Sequence, residues 1–333
     1  MKTWASPNIA FIKYWGKLPS TSDETRNLGT NPSISLTLSK ARTTVVTEKL
    51  GEAGPAPVPD DAFRILIEGA PASEADRRKL IAHLRRVESY AHAGFGRHCP
   101  PLSIDSRNNF PLGAGIASSA SSFAALTLAF LAETVGTETA RRLLDTRAAD
   151  LSALARRGSG SACRSIYGGL VKWDGEHAQP LPFEWPLRDT IVILSRDKKK
   201  ISSTDGHAAA LSSPRFADRL ARLPSRIRAV EAALQARRLD ALGPLLEEEA
   251  LEMHAVARSG EPPADYLLPP TWRFLEALAP QRERDYFFTI DAGPNLHFLS
   301  ERPVAAELRA TLARLGLEGE IWEDEAGTGP QLA

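Results

Sequence analysis

In the stretch from Asn108 to Ser122, two glycines (Gly113 and Gly115) and a row of small residues run straight into an apolar segment, Phe123 to Val135, closed by Gly136. Phe123, Leu126, Leu128, Phe130 and Leu131, set among alanines, predict a helix there. A small-residue loop feeding a helix start presents free backbone N–H groups and the positive end of the helix dipole. Both favour an anion, phosphate in particular. The same composition also suits a plain turn before a core helix. No Gly-Lys-Ser/Thr follows, so this is not a Walker loop, and the spaced glycines of a dinucleotide fold are absent.

A chain of 333 residues has room for two medium domains. Lys plus Arg and Asp plus Glu number 41 each, so no bulk charge recruits nucleic acid or an acidic membrane. Cys99 and Cys163 make no disulfide framework and fit a reducing cytosol. Pro7, Asn8 and Lys13 interrupt any apolar leader, and no apolar run is expected to span a bilayer. These features predict a soluble cytoplasmic protein with neither nucleic-acid nor membrane partners.

Lys13, Tyr14 and Lys17 sit among apolar residues near the N-terminus, so cations are expected beside buried surface. Ser33 to Leu38 alternates with period two and reads as a strand, with Thr43 to Glu48 pairing to it and Phe63 to Ile67 returning. Ser73 caps a helix whose apolar face is Leu80, Ile81, Leu84, Val87 and Ala91. A helical stretch from Glu138 to Arg157 runs into a second small-residue loop, Gly158 to Ser165. There Ser159 and Ser161 supply hydroxyls, and Arg164 offers a fork that grips carboxylate or phosphate. Ile166 to Trp173 reads as a strand. The proline-rich Pro180 to Pro186 divides the chain into residues 1–185 and 186–333.

Beyond it, Thr190 to Leu194 is a buried strand and Lys198 to His207 a polar loop. Helices follow from Ser213-Pro214 to about Arg237 and from Pro244 to Ala257. Tyr286 to Ile290 is a strand ending in Asp291-Ala292-Gly293-Pro294-Asn295; Leu296 to Leu299 continues as strand and Pro303 to Leu315 as helix. Consecutive strands mixed with helices favour α+β over a doubly wound parallel sheet. A phosphate-cradling loop, a second loop with Arg164, a lysine-bearing strand and a lone acid at a strand end together suit two anionic ligands. That points to nucleotide-dependent phosphoryl transfer.

Five ordered blocks carry a specific likeness: Ala5 to Lys17, the loop from Asn108 to Ser122, Gly158 to Ser165, Lys199 to Thr204, and Asp291 to Asn295. In these the chain resembles the diphosphomevalonate decarboxylases, within the superfamily of galactokinase, homoserine kinase, mevalonate kinase and phosphomevalonate kinase. The glycine loop marks only the superfamily; Lys13-Tyr14-Trp15-Gly16-Lys17 and the Gly158 to Ser165 block are closer to the decarboxylases.

The resemblance implies a two-lobed GHMP-kinase-like α+β fold, with an N-terminal lobe like ribosomal protein S5 domain 2 and a ferredoxin-like C-terminal lobe. It implies ATP- and Mg²⁺-dependent conversion of mevalonate 5-diphosphate to isopentenyl diphosphate, and a homodimer. By resemblance Asp291 and Lys13 act at the C3 hydroxyl, and Arg164 clamps the substrate carboxylate with Ser159 and Ser161 beside it. Tyr14, Lys17, Ser203 and Thr204 then meet the 5-diphosphate. Gly113, Gly115, Ala117, Ser118 and Ser119 wrap the ATP phosphates near Asn109; Ser118 and Ser119 are the hydroxyls suited to phosphate or Mg²⁺, which otherwise rides on the nucleotide.

Two departures fall in the expected phosphate pocket: Thr204, where some relatives carry arginine, and His207, where many carry methionine. Relatives that use the 5-monophosphate, or phosphorylate without decarboxylating, share much of the pattern; Lys13, Asp291 and Arg164 together favour full decarboxylation. His254 reads as structural.

Overall fold

The computed structural model describes residues 1–20, 22, 26–110, 116–197, 201–279 and 284–333. Its first lobe holds strands β1 (Lys2–Ala5), β2 (Asn8–Ile12), β3 (Ser33–Thr37), β4 (Thr43–Lys49), β5 (Arg64–Ile67), β6 (Ala70–Pro71) and β7 (Leu102–Asn108). Helices α1 (Glu74–Phe95), α2 (Ser118–Val135), α3 (Thr137–Thr146) and α4 (Ala148–Gly158) follow the same order of chain, and β8 (Leu170–Asp174) and β9 (His177–Pro180) complete it. The second lobe has β10 (Arg188–Ile193), α5 (Ser203–Ser212), α6 (Phe216–Ala236), α7 (Leu239–Arg258), α8 (Pro269–Leu278), β11 (Tyr286–Thr289), β12 (Leu296–Ser300), α9 (Ala305–Leu315) and β13 (Glu320–Glu325). The chain then returns: β14 (Gln331–Leu332) pairs antiparallel with β1.

Three sheets result, with strand orders β14-β1-β4-β7-β5-β6, β2-β3-β8-β9 and β11-β12-β10-β13. Nearly all pairings are antiparallel, β5 with β7 being parallel, which is the expected α+β arrangement. One pairing differs from expectation. β4 joins β1 and β7, whereas β3 joins β2 and β8, so the Thr43 strand lies in another sheet from the Ser33 strand. Alternation reports which face of a strand is buried, not which neighbour it finds. The Phe63 strand pairs with β7, a strand that the sequence reading passed over.

The Glu138 to Arg157 stretch is two helices broken at Arg147, whose φ of −135° ends the first. Gly160–Ile166 forms a 3-10 turn rather than an open loop, so the following strand begins only at Leu170. The polar Lys198 to His207 segment contains the start of α5, and Lys198 to Lys200 lie outside the described residues. After Ser213-Pro214 the helix begins at Phe216, with Ser213 Oγ accepting from Arg215 N (3.2 Å). Against expectation, α2 is apolar and long enough to cross a membrane by length and composition, but 72% of that window is buried inside the fold.

α1 and α2 pack on the first sheet around Ile81, Leu84, Val87, Leu128, Phe130 and Ile104. At the seam, Ile9, Phe11, Ile34 and Leu36 of the first lobe share one core with Ile191, Leu234 and Leu299 of the second. Each such side chain contributes ~1.5–3 kcal/mol when fully buried, so the lobes are joined by a true core. In β10, Ile191 and Ile193 face this seam while Val192 faces α8 and α9, as the period of two requires. Asp324 of β13 reinforces the seam by accepting backbone N–H bonds from Ser39, Lys40 and Ala41 (2.8, 2.8 and 2.7 Å).

Candidate active site

A cleft of about 470 Å³ opens between the lobes and collects residues from both. Lys13 enters from the end of β2 and is 2% exposed. Its Nζ donates to Asp291 Oδ1, Thr289 Oγ1 and the Ala10 carbonyl, each at 2.7 Å, which uses all three ammonium donors. Burial pulls the Lys13 amine below the usual lysine range, and the charge of Asp291 opposes that shift. Asp291 follows β11 in a tight turn in which Gly293 N bonds Asp291 O (2.7 Å). Asn295 anchors that turn, its Oδ1 accepting from Leu194 N (2.7 Å) and Ser195 N (3.1 Å).

Arg164 lies in the 3-10 turn, 2% exposed. Nε donates to Asn8 Oδ1 (3.0 Å) and Nη1 to Ser33 Oγ (2.6 Å), while the guanidinium lies over Trp173 at 5.9 Å. Nη2 takes no protein partner among the described residues. Asn8 is itself held by Ser165 Oγ (2.8 Å) and the Ser161 carbonyl (3.2 Å). The fork is thus aimed before any ligand arrives, and such fixed guanidinium geometry suits a carboxylate.

At the far end, Asn27 adopts a left-handed conformation (φ 65°) and joins several walls. Its Oδ1 accepts from Lys17 Nζ (2.9 Å), its carbonyl accepts from Tyr14 Oη (2.9 Å), and its Nδ2 donates to Arg156 O (3.0 Å). Tyr14 packs between Trp173 and His207, at 4.6 and 4.4 Å between centroids. Gly160 must lack a side chain, because a Cβ there would stand 2.5 Å from the Tyr14 ring. His207 Nδ1 accepts from Gly16 N (3.1 Å), so its proton sits on Nε2. Lys79 of α1 and Arg26 also line this end. Burial and these two cations push Lys17 down to about 8.

Two helix starts face the same space. Ser118 and Ser119 open α2, whose N-cap Ala117 has a strained φ of 28° and supplies no side-chain cap. The first N–H groups of α2 therefore receive no side-chain acceptor from their N-cap residue. Ser119 Oγ meets Ser159 Oγ at 3.1 Å. Ser203 and Thr204 form the first turn of α5, closed by a capping box between Ser202 and Asp205.

Family models match the two halves in order: a diphosphomevalonate decarboxylase-like N-terminal domain over residues 5–180 and a mevalonate 5-diphosphate decarboxylase C-terminal domain over 190–325. The chain belongs to the diphosphomevalonate decarboxylase family. It is 33% identical to the diphosphomevalonate decarboxylase of Eremothecium gossypii, over 98% of this chain and 84% of that protein. The human diphosphomevalonate decarboxylase is also 33% identical, over 92% of this chain and 78% of its own length. The crystal structure of the Staphylococcus aureus mevalonate diphosphate decarboxylase superposes with a TM-score of 0.81 at 28% identity, over 100% and 97% of the two chains. A complex of MDDEF with MVAPP, AMPPCP and magnesium gives 0.80 at 29% identity, over 100% and 98%.

Of the residues expected from the sequence, Lys13, Tyr14, Lys17, Ala117, Ser118, Ser119, Ser159, Ser161, Arg164, Ser203, Thr204 and Asp291 all line this decarboxylase-family cleft. Asn109 does not: its Nδ2 donates to Lys40 O (2.8 Å) and its Oδ1 accepts from Arg42 N (2.8 Å), clamping the chain between β3 and β4. Gly113 and Gly115 lie outside the described residues. His254 is fully buried, held neutral by burial, down to about 3, and does not line the cleft. Sequence reading missed Asn8, Arg26, Asn27 and Lys79 as wall or support residues. Only Asn8 left a signal, as an amide beside the apolar Ile9-Ala10-Phe11 run.

The Lys17 amine makes a pH prediction. Because its protonated form is disfavoured by burial, its charge is full below about 8 and lost above. An anion at this end pairs with the charged form, so kcat/KM for a phosphorylated substrate is expected to fall above about pH 8, with kcat falling later. Lys17→Arg, which stays charged, should move that limb to higher pH. A profile identical to the parent's would remove Lys17 from anion binding.

Proposed function

We propose that the cleft carries out the ATP-dependent decarboxylation of mevalonate 5-diphosphate to isopentenyl diphosphate, with release of ADP, phosphate and carbon dioxide, in isoprenoid biosynthesis. The observation that carries this reading is the convergence of Lys13 and Asp291 (2.7 Å) with the preset fork of Arg164 in one cleft. A tertiary alcohol is a poor leaving group, so the C3 hydroxyl is phosphorylated first. Asp291 orients that hydroxyl and takes its proton, while Lys13 offsets charge on the transferring phosphoryl. The C3–O bond then breaks with its electron pair leaving on phosphate. The electron pair of the C1–C2 bond forms the C2–C3 double bond, and the carboxylate departs as carbon dioxide.

Arg164 holds that carboxylate through Nη2, with Ser159 and Ser161 beside it. Tyr14, Lys17, Ser203 and Thr204 take the 5-diphosphate, joined by Lys79 and Arg26 from the same wall. The uncapped start of α2, with Ser118 and Ser119, receives the ATP phosphates. Those two hydroxyls fit a Mg²⁺ that rides on the nucleotide and neutralises phosphate charge. The reading includes a homodimer resident in the cytoplasm.

Protein supplied with mevalonate 5-diphosphate and MgATP should release carbon dioxide and ADP in equal amounts. ADP without carbon dioxide would identify a small-molecule kinase instead. A much higher kcat/KM for the 5-monophosphate would make the product isopentenyl phosphate; the group of cations at the Lys17 end favours the diphosphate.

A further inference from the structure

The proposed chemistry uses the side chain of Lys13, but the structure takes equal care of its main chain. Lys13 N donates to Glu249 Oε1 of α7 at 2.9 Å, across 236 positions of sequence. Asn31 Nδ2 donates to the Lys13 carbonyl (3.0 Å), and Arg219 Nη2 approaches the same oxygen (3.5 Å). Glu249 and Arg219 both have 0% side-chain exposure. Besides Lys13 N, Oε1 accepts from Arg219 Nη2 (2.5 Å), and Oε2 accepts from Arg226 Nη1 (2.6 Å) and Arg219 Nη1 (3.1 Å). Four donors fill the roughly four acceptor sites of one carboxylate, so its orientation is fully determined. Glu252 closes the group from one turn further along α7, pairing with Arg219, Arg222 and Arg226.

Stability alone gives little reason for such a cluster. Buried ion pairs are often matched or surpassed by apolar residues of similar volume, and their best-attested use is to fix one arrangement. Here the arrangement fixed is the junction of β2 with the second lobe, one residue from which Nζ reaches Asp291. We propose that Glu249 is a positioning residue for the reaction, its carboxylate holding the Lys13 main chain so that Nζ stays on Asp291 and the transferring group. This rests on the decarboxylase reading above. Glu249 never touches substrate: it does not line the cleft.

The charged and titratable groups around Lys13 come from every element packed on it: Asp291 after β11, Glu249 and His254 on α7, Arg164 in the 3-10 turn and Arg219 on α6. Among them Glu249 and Asp291 favour the ammonium form and Arg164 opposes it. Glu249→Gln keeps an oxygen for Lys13 N but removes the charge. It is expected to lower kcat ~100-fold, with KM for both substrates little changed, since a misplacement near 1 Å costs on that order. The alkaline limb of its pH–kcat profile should move to lower pH.

Arg226→Gln is the matched control. It breaks the same buried cluster but leaves the Lys13 N–H and both Arg219 bonds on Glu249, and should lower Tm with a far smaller loss of kcat than Glu249→Gln. A folded Glu249→Gln that turns over at the parental rate overturns the proposal, as does an equal loss of kcat in Arg226→Gln. If Glu249→Gln shows no cooperative unfolding, Glu249→Asp decides. A kcat loss with the pH limb unmoved supports positioning, and a parental kcat refutes it. A parent protein that releases no carbon dioxide would instead refute the decarboxylase reading, which keeps the two failures apart.

Discussion

Asp291→Asn is expected to lower kcat by ~10³-fold while nucleotide affinity holds, because the amide keeps the carboxylate's shape but cannot take a proton. The substitution is conservative around the site. Asn Oδ1 can still accept from Lys13 Nζ, and the turn through Gly293 and Asn295 depends on backbone and on the Asn295 side chain, not on Asp291. What is lost is the proposed base for the C3 hydroxyl and the counter-charge for the buried Lys13 ammonium. Single-turnover measurement of ADP and carbon dioxide should show both slowed together, since phosphorylation precedes the loss of carbon dioxide. A variant within tenfold of the parent would place the catalytic centre elsewhere.

The second large effect is expected from Lys13→Met, with kcat down ~10²- to 10³-fold, the usual cost of removing a group aimed at developing charge. Its effect on stability should be small, because the Ala10 carbonyl keeps a donor in Thr289 Oγ1 (3.2 Å). Asp291, 18% exposed in its side chain, can turn to water. Methionine fills the stem of a residue that is otherwise buried, and because Asp291 reaches water the change does not strand a fully buried charge, which is what makes removal of one partner of an ion pair costly. Activity should thus fall steeply while Tm holds. A Tm loss as severe as the activity loss would mean that Lys13 is there for the seam rather than for the chemistry.

The class of the fold was legible because it rests on local patterns: Ser33 to Leu38 alternates, and Phe123 to Val135 is an apolar run of helical length. Sheet partnership was not. β4 has the pattern of a half-buried strand, and nothing in its residues says that β7, 65 positions away at the Thr43↔Asn108 pair, is its neighbour rather than β3. The site divides the same way. Lys13 and Arg164 stand out as charges in small or apolar surroundings, and Asp291 as an acid at a strand end. That Lys13 and Asp291 touch is a fact of packing between residues 278 apart, and only the family likeness put them together in advance. Arg26 and Lys79 were illegible because a cation on a turn or a helix reads as solvated surface; both are exposed in the fold, and only the outline of the cleft sets them beside Lys17. Glu249 looked like one acid in the run Glu247-Glu248-Glu249, and only burial separates it from the others.

The return of β14 to β1 bears on the order in which the chain is made. A ribosome delivers residues from the N-terminus, and domains generally fold as they emerge. Here the first sheet keeps β1 without its outer neighbour until Gln331 and Leu332 appear. Lys13 likewise emerges early, while Asp291 and Glu249 come out hundreds of residues later. During that interval a lysine destined for burial has neither of its acidic partners and is held in water by its own charge. The nascent first lobe is therefore expected to stay open at the place where the active site will form until α7 and the turn after β11 have been made.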